Sequence, residues 1–141
     1  MKIGILALGR PTFDVEYANE KLFDSIKFLN STNHEIVGNC ELLLNESEAI
    51  NEINKLKKEN LDFVIILQVT FTDSSTILKI ATSLKKPIGI WAFPEPRLGG
   101  RLRLNALCGL NLASHTLGLN DIPFSWIYEN PAKINYSKFE I

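Results

Sequence analysis

The chain repeats one alternation from end to end: a short apolar run, a polar loop, then a segment whose apolar residues recur every three or four positions. Residues 2–8, KIGILAL, end at Gly9 and form the first such run. A strand covered on both faces loses the apolar–polar alternation of a half-exposed one, and this run has lost it. Asp14 then stands where a helix cap is needed, and Val15, Ala18, Leu22, Ile26 and Leu29 fall on one stripe. The unit recurs in HEIVGN before NESEAINEINKLKKEN, in LDFVIILQV before DSSTILKIATSLKK, and in PIGIWAF before RLNALCGLNLASHTLG. FSWIY closes the series.

Five strands alternating with four helices predict a parallel sheet with helices on both faces, because parallel neighbours need a crossover and the crossover is right-handed. The expected α/β architecture is a flavodoxin-like, Rossmann-like three-layer sandwich with strand order 2-1-3-4-5, forming one domain over residues 1–141. The 45% hydrophobic content is enough to bury a single core at this length. No linker, repeat or low-complexity stretch interrupts it. The tail, ENPAKINYSKFEI, has weak periodicity and is expected to wrap the surface or pack on a neighbour.

A formal net charge of -1 supplies no general field for nucleic acid or an anionic membrane, so any attraction for anions must be local. No apolar run approaches the ~20 residues of a membrane-spanning helix. The start, MKIGILALGRP, is too short an apolar stretch for a signal peptide and soon meets Arg10 and Pro11, which places the chain in the cytoplasm as an expectation. Cys40 and Cys108 lack CxxC spacing and are expected to be free thiols.

In sheets of this order ligands gather beyond the carboxyl ends of the strands, near the switch between strands 1 and 3. That rule selects GRPTFD, TFTDSS and PEPRLGGR as site loops. The first offers Arg10, Thr12 and Asp14, the last also serving as a helix cap. It is not GxGxxG, and no GxxxxGK[ST] occurs in the chain, so dinucleotide and P-loop binding lack their glycines. The second offers Gln68, Thr70, Thr72 and Asp73; an amide at Gln68, inside FVIILQVTF, must find partners near the end of a buried strand. The third offers Glu95, Arg97, Arg101, Arg103 and Asn105 around a glycine turn and a helix start, where free amides favour negative charge. These are candidate contacts for a sugar, a sugar phosphate or another small anion. The arginines pairing with Glu95, with a partner's carboxylates or with solvent is the competing explanation.

Residues 104–120 carry no charge apart from what His115 holds, as expected of a helix buried on more than one side. Ala106, Gly109 and Ala113 would let another backbone approach closely, which implies an oligomer interface. No catalytic constellation emerges. His34 and His115 lie on different elements without metal-ligand spacing, and no nucleophile elbow is present.

IGILALGRPTFDVEYA, LQVTFTDSS and above all WAFPEPRLGGRLRLNALCGLNLASH resemble the N-terminal domain of the L-fucose and L-arabinose isomerase family over nearly the whole chain. The third segment carries most of the specificity. The resemblance implies membership in a group of longer aldose–ketose isomerases that use a divalent metal, usually manganese, held by carboxylates and a histidine in later domains. It implies a domain that contributes to oligomer contacts and approaches a neighbouring subunit's active site. On that basis no metal or cofactor site is expected within these residues. The expected role is a subunit that completes a substrate site or oligomerises, with a homo-oligomer or a separate chain bearing the metal-binding domains as partner. The alternative is a stand-alone binding module for a sugar, sugar phosphate or anion.

Overall fold

A computed structural model of the chain describes residues 1–135 and 137. The expected alternation is present as β1 (Lys2–Leu8), α1 (Val15–Asn30), β2 (Glu35–Val37), α2 (Glu46–Leu56), β3 (Phe63–Gln68), α3 (Ser74–Leu84), β4 (Ile88–Ala92), α4 (Ala106–Leu119) and β5 (Phe124–Tyr128). The strands form one parallel sheet in the order β2-β1-β3-β4-β5. The step from β1 to β2 runs opposite to the later steps, so right-handed crossovers place α1 on one face and α2, α3 and α4 on the other. The packing of α2 on α3 and of α3 on α4 agrees with this.

The central strands are sealed on both sides: β3 is buried throughout, and β1 from its second residue onward. On the α1 face Trp91 is the pivot, its indole meeting Phe28 and Phe93 edge-on at centroid distances of 5.7 and 5.5 Å. Its Nε1–H donates to the Glu129 carbonyl at 3.0 Å. This bond draws the tail onto the sheet, where Pro131 is buried and Ile134 packs on the core. The part of the expected wrapping tail at residues 136 and 138–141 lies outside the described residues.

α4 starts later than its apolar pattern suggests. Asn105 adopts a left-handed conformation at φ 52° immediately before it, which keeps residues 103–105 out of the helix. Near its first turns Gly109 is buried against Gln68: a Cβ there would lie 2.9 to 3.1 Å from the Gln68 side chain. The small residue lets α4 sit directly over the end of β3 and sets the height of the loop that precedes it. Among the described residues no helix is long and apolar enough to cross a membrane.

Candidate functional site

The carboxyl ends of the strands hold the three selected loops, but these do not share one crevice. Arg10 pairs with Asp73, and both line a concavity of about 200 Å³ with Thr72 and the starts of α2 and α3. A second concavity, of about 410 Å³, is lined by Glu95, Arg97, Arg101, Arg103 and Asn105, together with Tyr128 and Cys108. Thr12 and Asp14 border a third recess, of about 280 Å³, together with Arg101 and Arg103.

Gln68 supports the loops from below. It is fully buried, and its Nε2 donates to the Thr70 carbonyl at 2.7 Å and to Thr72 Oγ1 at 2.9 Å. Thr70 Oγ1 in turn accepts the Arg10 N–H at 2.9 Å. One buried amide thus fixes the loop after β3, and that loop fixes the exit from β1. The expected partners for Gln68 are therefore internal ones; its Oε1 is buried without a partner among the described residues.

The arginines divide by what they already hold. Arg103 Nε donates to Asp14 Oδ2 at 2.8 Å and its guanidinium stacks on Tyr17, 3.8 Å from the ring centroid. Arg101 Nη2 donates to the Thr12 carbonyl at 2.8 Å. These contacts lace the long loop to the start of α1, while Asp14 Oδ1 caps α1 by accepting the Tyr17 N–H at 3.0 Å. Asp14 is accordingly held below its ordinary pKa, first by that backbone N–H and then by Arg103. Arg97 makes no hydrogen bond or ion pair with any described residue and is exposed.

Glu95 occupies the inner wall of the larger concavity. Its Oε2 accepts from the Leu104 N–H and from the Asn105 N–H, the latter at 3.2 Å. Glu95 is therefore not the arginines' partner; it secures the turn into α4. Asn105 leaves its own side chain free of any capping bond. Asp73, at the corresponding position of α3, also makes no side-chain cap and serves Arg10 instead.

Two lining residues escape the loop-based reading. Tyr128 ends β5 beside Ala92 in the register, and Cys108 lies on the first turn of α4. The signal for Tyr128 was available: a polar aromatic closing the last strand points to the same sheet end as the loop after β4. Partial burial raises its pKa and Glu95 adds to this, while Arg97 opposes them. Both cysteines are free thiols. Among the described residues no three His, Cys, Asp or Glu side chains gather in a group that could hold a metal ion.

The assembled surface offers a free guanidinium, a fixed carboxylate, an amide and a phenol over an apolar floor. That set suits a small molecule carrying hydroxyls and one acidic group.

A family model described as the N-terminal domain of fucose/sulfoquinovose isomerase matches residues 4–140. A sulfoquinovose isomerase of Priestia megaterium is 32% identical over 124 residues, covering 88% of this chain and 28% of that protein. One from a Clostridium species is 29% identical over 133 residues, covering 92% of this chain and 29% of that protein. One from Alkalicoccus urumqiensis is 37% identical over 70 residues, covering 50% and 16% respectively. The chain thus spans under a third of the length of these relatives.

Proposed function

This chain belongs to the family of fucose/sulfoquinovose isomerase N-terminal domains, and we propose from that premise that it serves an aldose–ketose isomerase acting on a sulfonated hexose. In this role the β4–α4 loop completes a substrate site whose metal-holding residues lie outside these 141 residues. Arg97 is the observation that carries the reading. The other three arginines are occupied by Asp73, Thr12 and Asp14, and Arg97 alone of the four stands over the larger concavity with no protein partner among the described residues.

A sulfonate has a fixed negative charge and three acceptor oxygens, which the guanidinium fork matches better than an ammonium would. A neutral hexose gains nothing from that fork beyond an ordinary hydrogen bond. Ala106, Gly109 and Ala113, expected to meet a neighbouring backbone, are instead buried inside this domain; the exposed Leu107, Leu119 and Trp126 support assembly, with further copies or with a polypeptide that carries the metal-binding domains.

Sulfoquinovose and glucose, titrated into the chain and followed by amide NMR, test the reading. The sulfonated sugar binds more tightly, and Arg97→Ala weakens it by roughly ten- to a hundredfold while leaving glucose unchanged, as the loss of a charge-assisted hydrogen bond requires. Equal affinity for both sugars, unaffected by Arg97→Ala, would sink it.

A further inference from the structure

The sheet ends differently on its two sides. Its β2 edge is three residues long and begins at Glu35, whose carboxylate pairs with Lys2 at 3.3 Å. Short, charged edges of that kind resist pairing with other chains. The β5 edge carries five residues, FSWIY, and none of them is charged. Trp126, at its centre, is 62% exposed.

The ladder with β4 decides which main-chain groups of β5 face outward. The Glu129 N–H donates to the Ala92 carbonyl at 3.3 Å, so residue 129 turns its main chain toward β4. Successive residues of a strand alternate sides, which turns Ser125 and Ile127 inward and the N–H and C=O groups of Phe124, Trp126 and Tyr128 outward. These outward groups make no hydrogen bond with any described residue. They form a row of free donors and acceptors, the template on which another strand is added.

The side chains suit this edge to its own reversal. Read backwards, FSWIY still has an aromatic residue at its first, third and fifth positions, and these three share one face of the strand. An antiparallel copy centred on Trp126 sets Trp126 against its own copy and Phe124 against Tyr128 of that copy. In this register the outward groups meet, and each opposed pair exchanges both N–H···O bonds. A slip of one residue would set outward groups against inward ones, and a slip of two would leave Phe124 or Tyr128 without an aromatic opposite. Glu129 falls opposite Pro123 and Asp121 opposite Pro131, so no like charges face each other across the join.

We propose that β5 is the seam of a two-fold homodimer, in which two copies join edge to edge and their five-stranded sheets become one continuous sheet. The contact uses the same strand on both copies and closes on itself, leaving only the short, charged β2 edges at the ends. It names one partner for the exposed Trp126 and is independent of the sulfonated-sugar reading, which stands or falls on ligand binding.

Sedimentation velocity and amide hydrogen exchange on the 141-residue chain, run from micromolar to millimolar concentration, test the seam. The chain passes from monomer to dimer and no further, and the Phe124, Trp126 and Tyr128 amides, open in the monomer, become protected as the dimer forms. Trp126→Lys sets like charges opposite each other at the two-fold and weakens the dimer by roughly tenfold or more. Its thermal midpoint under dilute, monomeric conditions stays at the parent's value, which separates a lost seam from a lost fold. Phe23→Lys, which replaces an aromatic 69% exposed on α1, leaves the dimer intact. A chain that stays monomeric throughout overturns the seam. A dimer in which the three amides keep their monomer exchange rates, or which Phe23→Lys weakens as much as Trp126→Lys does, overturns it as well. So do assemblies that grow beyond the dimer, because these require a head-to-tail contact.

Discussion

Arg103 and Asp14, 89 residues apart, hold each other twice: the Arg103 Nε donates to Asp14 Oδ2 at 2.8 Å, and the Asp14 N–H donates to the Arg103 carbonyl at 3.0 Å. The long β4–α4 loop is thereby tied to the first turn of α1. Asp14 also caps that helix, so its substitutions separate two roles. Asparagine caps about as well as aspartate but carries no charge. Chemical denaturation should therefore rank Asp14→Ala as more destabilising than Asp14→Asn, with Arg103→Ala close to the latter because an exposed ion pair contributes little. Asp14→Asn costing as much as Asp14→Ala would assign the stability to the pair instead of the cap.

Acid should loosen the same join. Asp14 has its pKa lowered by the Tyr17 N–H and Arg103, and Glu46 has its own lowered by Lys79. A carboxylate with a depressed folded pKa contributes stability above its unfolded value, near 4, and loses that contribution as pH falls through the folded value. Thermal midpoints should fall between about pH 5 and pH 3, and Asp14→Asn with Glu46→Gln should flatten that fall. Parallel curves for parent and double variant would show that other carboxylates carry the acid sensitivity.

The β4–α4 loop turns on consecutive glycines, Gly99 and Gly100, at φ 74° and 75°, with no atom within 4 Å of a built Cβ at either. Alanine at both would meet backbone strain of roughly 1–2 kcal/mol each and no clash. An exposed loop can relax that strain by moving, and here movement displaces Arg97. Gly99→Ala with Gly100→Ala should therefore lower the affinity for sulfoquinovose more than it lowers the thermal midpoint. Unchanged affinity would mean that Arg97 is placed by its anchored flanks alone.

The alternation that defined the fold was legible because burial on two faces writes continuous apolar runs, and β5 lies where FSWIY placed it. The start of α4 was not, because the left-handed Asn105 and the Glu95 carboxylate under it are set by contacts across the loop. The same limit applies to the arginines. Sequence proximity to glycines suggested that they converge on one crevice with Arg10, whereas long-range pairing with Asp14 and Thr12 consumes Arg103 and Arg101, and Arg10 lines a different concavity. Gln68 was legible as a residue that needs partners, since an amide in an apolar run has no other way to be buried. Which of its two ends would be satisfied depended on Thr72 and on Gly109, 41 positions away.

That last contact supports a double-mutant test. In Gly109→Ala the new Cβ would lie 2.9 Å from Gln68 Nε2 and 3.0 Å from its Cδ, too close for either to stay in place. Gln68 cannot yield freely, because its Nε2 is bonded to Thr70 and Thr72 and the side chain is fully buried. Overpacking of this kind costs about 1–3 kcal/mol, partly offset by the better helix propensity of alanine at an interior position. Gln68→Ala alone should also destabilise, by freeing Thr72 and opening a cavity. In the double variant the methyl group moves into space the amide has left, so the combined loss should fall short of the sum by at least about 0.5 kcal/mol, the threshold at which contacting residues are distinguished from independent ones. Urea denaturation of the four proteins measures it. Strict additivity would mean that α4 shifts away from β3 in Gly109→Ala, and the displacement should then appear as chemical-shift changes reaching Asn105 and Leu104 in the loop that α4 positions.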